Sequence, residues 1–117
     1  MANNIAFQPM GKTYHANASV TSQTITITPD SPCNQILVSS HESSASSKAV
    51  YFQVSNLSNV TVTAPTNGSP QYCLLAVPNT TRVYTVPFQF SPTNPLYVAF
   101  IAEADSPECY FTPGEGL

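Results

Sequence analysis

Residues 24–28, Thr24-Ile25-Thr26-Ile27-Thr28, alternate strictly between apolar and polar β-branched side chains, and segments of this period recur along the chain between turn-forming breakers. Successive side chains of a strand point to opposite faces, so this pattern puts Ile25 and Ile27 on a buried face and the threonines on a wet one. Pro29-Asp30-Ser31-Pro32 stops the first such segment with turn chemistry, and Asn34-Gln35-Ile36-Leu37-Val38-Ser39 is read as a second strand. A Ser-rich loop follows, from residue 39 to 48. Residues 49–55 direct Val50, Phe52 and Val54 one way, and Val60-Thr61-Val62-Thr63-Ala64 repeats the alternation, so these two segments are expected to pair as a hairpin. Asn67-Gly68 lies in a breaker cluster and suits the positive φ angles of a tight turn. Residues 72–77 and 82–86 flank Pro78-Asn79-Thr80-Thr81 as a further strand pair, while the three prolines of residues 87–95 exclude a central strand there. Leu96-Tyr97-Val98-Ala99-Phe100-Ile101-Ala102 is the longest apolar run, and Cys109-Tyr110-Phe111-Thr112 is the last extended piece.

About eight short strands and no amphipathic helix define an all-β chain: an antiparallel β-sandwich or jelly roll. At 117 residues one domain is expected. Residues 1–16, which hold no sustained period, are read as an extended N-terminal arm, residues 17–112 as the sandwich and residues 113–117 as a C-terminal tail. The core is drawn from the inward faces, with Ile25, Ile27, Ile36, Phe52, Leu74, Val83, Val98 and Phe100 among its members. The run from 96 to 102 is apolar on both faces, and a two-layer sandwich normally leaves one face of each sheet wet. Its second face calls for a cover. Either the arm or the Pro-rich loop carrying Phe88 and Phe90 supplies it from within, or a neighbouring subunit does.

Function is constrained mainly by what the composition lacks. Only 8% of residues are charged, with three basic residues, Lys12, Lys48 and Arg82, far apart in sequence and a formal charge of −3. Nucleic-acid binding needs clustered Lys and Arg, so no nucleic acid is expected as a partner. No stretch of eighteen apolar residues is present, so no membrane partner is expected, and residues 1–7 carry no basic, apolar signal-peptide pattern. Cys33, Cys73 and Cys109 are odd in number and widely spaced, which fits free, reduced thiols better than a disulfide framework or a zinc site. Five Asn-x-Ser/Thr sequons are read as a by-product of a Ser- and Thr-rich composition.

Neither His15 nor His41 sits in a recognised nucleophile setting, so no catalytic base is assigned and the chain is expected not to be an enzyme. The acidic loop holding Glu103, Asp105 and Glu108 lacks the spacing and glycine of a calcium loop, and no Gly-rich phosphate loop occurs, so no metal and no cofactor is expected. With so little charge, attachment to partners must rest on shape, apolar anchors and backbone pairing. The extended ends supply such anchors, and the contact residues proposed are Ile5, Phe7, Met10 and Tyr14 at one end, Tyr110 and Phe111 at the other, and Leu96 and Tyr97 on the two-sided strand.

In the sequence Leu75-Ala76-Val77-Pro78-Asn79-Thr80-Thr81-Arg82-Val83-Tyr84-Thr85-Val86, the strand at 96–102 and the ending Cys109-Tyr110-Phe111-Thr112-Pro113-Gly114-Glu115-Gly116-Leu117, the chain resembles small β-rich virion proteins of tailed bacteriophages, especially head decoration or cement proteins. The resemblance covers most of the chain as a pattern and carries over no functional residue. It implies a homotrimeric β-sandwich or barrel on the virion, assembled in the host cytoplasm, that binds the phage major capsid protein and reinforces the head lattice. A phage tail, neck or head-fibre module binding a host receptor or glycan is the alternative, with Tyr72, Phe88 and Phe90 as its candidate aromatics.

Overall fold

The computed structural model describes residues 7–41, 48–103 and 107–116 and, among these, nine strands and no helix. In chain order the strands are β1 (Gln8–Pro9), β2 (Tyr14–Asn17), β3 (Gln23–Ile27), β4 (Cys33–His41), β5 (Val50–Ser55), β6 (Leu74–Ala76), β7 (Thr81–Phe90), β8 (Leu96–Ala102) and β9 (Glu108–Glu115). One sheet has the order β1-β9-β4-β7, with β2 also pairing β9, and the other has β3-β8-β5-β6. Every pairing is antiparallel.

Partner numbers disclose the topology. β2 pairs β9, β3 pairs β8, β4 pairs β7 and β5 pairs β6, so the chain from β2 onward behaves as one long antiparallel hairpin whose tip lies between β5 and β6. Rolling that hairpin brings β9 against β4 and β8 against β5, with successive pairs falling alternately into the two sheets. That arrangement is the eight-stranded jelly roll, with β1 as a two-residue addition. Its loops gather at two ends. At one, Ala18 donates to the Pro107 carbonyl, Ala102 to Ser19, Glu103 to Ala49 and Ser40 to Thr80; at the other, Met10 donates to Pro113 and Asp30 to Met10.

Between the sheets lies the core. Phe111 on β9 meets Phe52 on β5 with ring centroids 6.0 Å apart and Phe100 on β8 at 6.4 Å, and Phe52 meets Tyr84 on β7 edge-to-face at 5.2 Å. These aromatic contacts bolt one sheet to the other, and Phe52 and Phe111 are wholly buried together with Phe90, Ile27, Ile36, Leu96 and Val98. Cys33 and Cys109 are buried among them as small apolar groups, and all three cysteines are free.

Several expectations change in the fold. Residues 60–64 do not pair with β5. Val60 and Val62 instead pack over the outer face of β8, burying Ala99 together with Tyr51, Cys73, Tyr97 and Ile101. The segment is tied to the β3 side of the sheet, where Thr24 Oγ1 donates to the Val60 carbonyl at 3.1 Å and the Val62 amide donates to Ser22 Oγ at 3.2 Å. Apolar surface on β8 rewards burial of the two valines, which a hairpin on the wet side would leave exposed. The two-sided strand is therefore covered from within, by neither of the segments expected. Phe90 is a core residue and Phe88 is half-buried against the core.

Strand β7 runs through Pro87 as far as Phe90. Proline is accommodated because β7 is the edge of its sheet, and the pairing with β4 jumps from Gln35↔Thr85 to Cys33↔Phe90 around it. Leu74, expected in the core, is 41% exposed, because β6 is a three-residue edge strand with nothing laid over it. Ile25 and Val54 reach the core only in part. The described part of the arm and most of the tail belong to the first sheet: Gln8 and Pro9 pair Glu115 and Gly114, and Tyr14, His15, Ala16 and Asn17 pair residues 111 to 108. Asn67-Gly68 forms the expected tight turn, with Gly68 at φ 82° and reciprocal backbone bonds between Thr66 and Ser69.

Candidate functional site

The candidate site is a groove on the side of the sandwich where β6 and β7, the edges of the two sheets, leave a gap. Phe52, Gln53 and Val54 of β5 line its floor, Tyr72, Cys73 and Leu74 form one wall, and Thr85 and Pro87 of β7 form the other. It encloses about 440 Å³. Tyr72 stands at its rim 88% exposed, and Leu74, Leu75 and Val77 are further exposed apolar side chains on the same edge, Leu74 on the groove side and Leu75 on the opposite face of the sheet.

Backbone and polar groups around the groove are already engaged. The Tyr84 hydroxyl donates to the Leu75 carbonyl at 3.0 Å, and Thr80 Oγ1 donates to the Val77 carbonyl at 2.6 Å. With its amide nitrogen turned inward, Gln53 donates to the carbonyls of Tyr72 and Thr61, each at 3.0 Å, and Thr85 Oγ1 accepts from Gln35. Burial raises the pKa of the Tyr84 phenol and the Arg82 charge opposes the shift, so the hydroxyl stays a donor at neutral pH.

Outside the groove, a titratable cluster of described residues lies on the β2–β9 seam. His15 Nε2 lies 3.1 Å from Glu108 Oε1, the Tyr110 hydroxyl donates to the same oxygen at 3.2 Å, and the His15 ring stacks on Tyr110 at 4.9 Å. The hydrogen bond to Glu108 raises the pKa of the Tyr110 phenol. Cys109, the nearest thiol in sequence, alternates to the opposite face and is buried in the core, where desolvation pushes it up to about 11 while the Ser40 hydroxyl pulls the other way. Burial and the Glu115 charge likewise push Cys33 up to about 11, against a hydrogen bond from Gly114. Thiols protonated to that degree are poor nucleophiles and poor metal ligands. Among the described residues no group of three His, Cys, Asp or Glu side chains is placed to hold a metal, and Asp105 and the side chain of His41 lie outside them.

The contact residues expected from sequence are dispersed. Leu96 and Phe111 are wholly buried inside the sandwich and offer no side-chain surface, because inward alternation directs both into the core. Tyr97 is half-buried in the cluster over β8. Met10 and Tyr14 pack on the main core, and the Tyr14 hydroxyl exchanges hydrogen bonds with the backbone of Thr28. Phe7 is half-buried against Gly114, Tyr110 is half-buried beside His15, and Ile5 lies outside the described residues. The exposed edge was missed because Leu74 and Leu75 read as an ordinary strand, and only their place at an uncovered edge makes them surface. No protein-family model matches the chain, and neither a curated protein nor a solved structure matches it.

Proposed function

We propose that the chain is a non-enzymatic virion structural protein, a capsid decoration or cement protein of a tailed bacteriophage that adds a rigid jelly roll to the head lattice. The observation that carries this reading is the set of exposed apolar side chains at the β6 edge, Tyr72, Leu74, Leu75 and Val77, on an otherwise closed β-roll, since apolar surface gathered at one edge of a small domain marks an interaction face. In this reading the partners are the phage major capsid protein and further copies of the chain. The outer face of residues 96–102, one sequence-level reason for a trimer, is spent on Val60, Val62 and Cys73, so that face is not the one offered to a neighbouring copy.

Tyr72 also favours the alternative of a neck, tail or fibre module that binds a host glycan or receptor. Glycan recognition, however, needs free polar groups around the aromatic platform, and the Gln53 amide and Thr85 hydroxyl beside it are bonded internally. Quantitative mass spectrometry of purified particles of the encoding phage tests the reading. Hundreds of copies per particle support a decoration role, and a handful of copies or none overturns it.

A further inference from the structure

Asn67 and Gly68, the one Asn-Gly pair in the chain, are the central residues of the turn between Pro65 and Pro70. The turn is clamped at its ends, where the Ser69 amide donates to the Thr66 carbonyl at 2.9 Å and the Thr66 amide donates to the Ser69 carbonyl at 3.2 Å. Its centre is not held. Among the described residues neither the Asn67 side chain nor the Gly68 N–H has a hydrogen-bond partner, and residues 66–70 are all exposed.

Gly68 has φ 82° while Asn67 has no positive φ, which makes the turn type II with glycine at its third position. Rotation of the central peptide unit converts type II into type I and leaves the outer residues paired, provided that the third residue accepts either sign of φ. Glycine does so without steric penalty, and even a Cβ at residue 68 would meet nothing within 4 Å. The rotation sweeps the Gly68 nitrogen past the Asn67 side chain, whose carbonyl carbon is placed along the chain to close a five-membered ring with it. Asparagine is thermolabile through attack of this kind.

We infer that Asn67 is a self-modification site, at which the Gly68 amide nitrogen attacks the Asn67 side-chain carbonyl and the residue becomes aspartate or isoaspartate. The Gly68 nitrogen bonds to Asn67 Cγ, the bond from Cγ to the side-chain nitrogen breaks, and ammonia leaves with the Gly68 amide proton relayed through solvent. One water then opens the ring. Opening at the side-chain carbonyl gives aspartate, and opening at the backbone carbonyl gives isoaspartate, whose main chain runs through the side-chain methylene. Either product adds a carboxylate to a chain with only six acidic residues. Isoaspartate also lengthens the turn by one carbon, so the Thr66–Ser69 pairing no longer fits, and the segment released leads through Pro70 to Tyr72 in the groove wall. The inference is independent of the assembly reading.

Incubation of the purified full chain at neutral and mildly alkaline pH, followed by peptide mapping with separation of aspartate from isoaspartate, tests it. Conversion should concentrate at residue 67 and quicken with pH, because the attacking nitrogen must lose its proton. Its rate in the folded chain should lie within about tenfold of that in the chain unfolded by guanidinium, since glycine populates either sign of φ about equally readily. Asn67→Gln, an exposed change that forbids the five-membered ring, should abolish conversion at this position without altering the fold. In aged wild type the isoaspartate fraction should show faster amide exchange at Thr66 and Ser69, whereas Asn67→Asp, with the charge but not the added carbon, should not. A folded chain that converts more slowly than that tenfold limit or not at all, conversion spread equally over exposed asparagines such as Asn56 and Asn59, or an isoaspartate form with unchanged exchange at Ser69 overturns the inference.

Discussion

Phe111→Ala tests whether this residue is the bolt between the sheets or a contact for a partner. Phe111 is wholly buried and its ring meets Phe52 and Phe100 of the opposite sheet. Losing the transfer of a phenylalanine side chain costs about 1.5–3 kcal/mol. The space left behind adds about 24 cal/mol per Å³ to the extent that it stays open, and two aromatic contacts add roughly 0.5–1.5 kcal/mol each. Measured Phe→Ala changes in cores fall at about 3–5 kcal/mol, and the Phe111 site belongs in the upper half of that range because the ring is gripped from two strands. Since a domain has only about 5–15 kcal/mol in total, the variant should be close to unfolding at 37 °C. Urea denaturation followed by circular dichroism checks it. With a slope of about 2 kcal/mol per molar, the midpoint should fall by roughly 2 M. Tyr110→Ala, one residue away on the outer face, is the control and should cost no more than about 1 kcal/mol. A Phe111→Ala loss below about 1.5 kcal/mol, or a loss equal to that of Tyr110→Ala, would refute the assignment of Phe111 to the core.

Three further outcomes concern the β1–β9 seam and the cysteines. Gly114→Ala places a methyl group against the Gln8 carbonyl and the Phe7 ring, so it should detach β1 from β9 at a cost of about 1–3 kcal/mol, seen as faster amide exchange and proteolysis near Gln8 with β4–β9 exchange unchanged. Under native conditions a thiol reagent should modify half-exposed Cys73 first and reach Cys33 and Cys109 only on unfolding. Both buried thiols titrate at about 11 in the fold against 9.0 as a reference, so the native state favours their protonated form; stability should be constant below about pH 9 and fall between pH 9 and 11, and an alkaline melting series without that decline contradicts their burial.

The sequence by itself determined the class of fold. Alternation at residues 24–28 and 50–54 put Ile27, Val50 and Phe52 on the buried faces they occupy, and Asn67-Gly68 located a turn, because period and φ preference are local properties of the chain. What covers what was decided only by the tertiary structure. Val60 and Val62 alternate as a strand would, yet they bury themselves on the outer face of β8, since a valine is stabilised equally by any apolar surface and the pattern does not say which surface is vacant. Pro87 reads as a breaker, but at an edge its missing amide deprives the ladder of nothing. Leu74 and Leu75 sit in an apolar run that reads like a core strand, and their exposure, with it the groove, follows from the rolling of the hairpin, which left the short β6 as the last strand of its sheet. Local pattern specifies which face of each strand is apolar. Long-range pairing specifies which of those faces finds a cover.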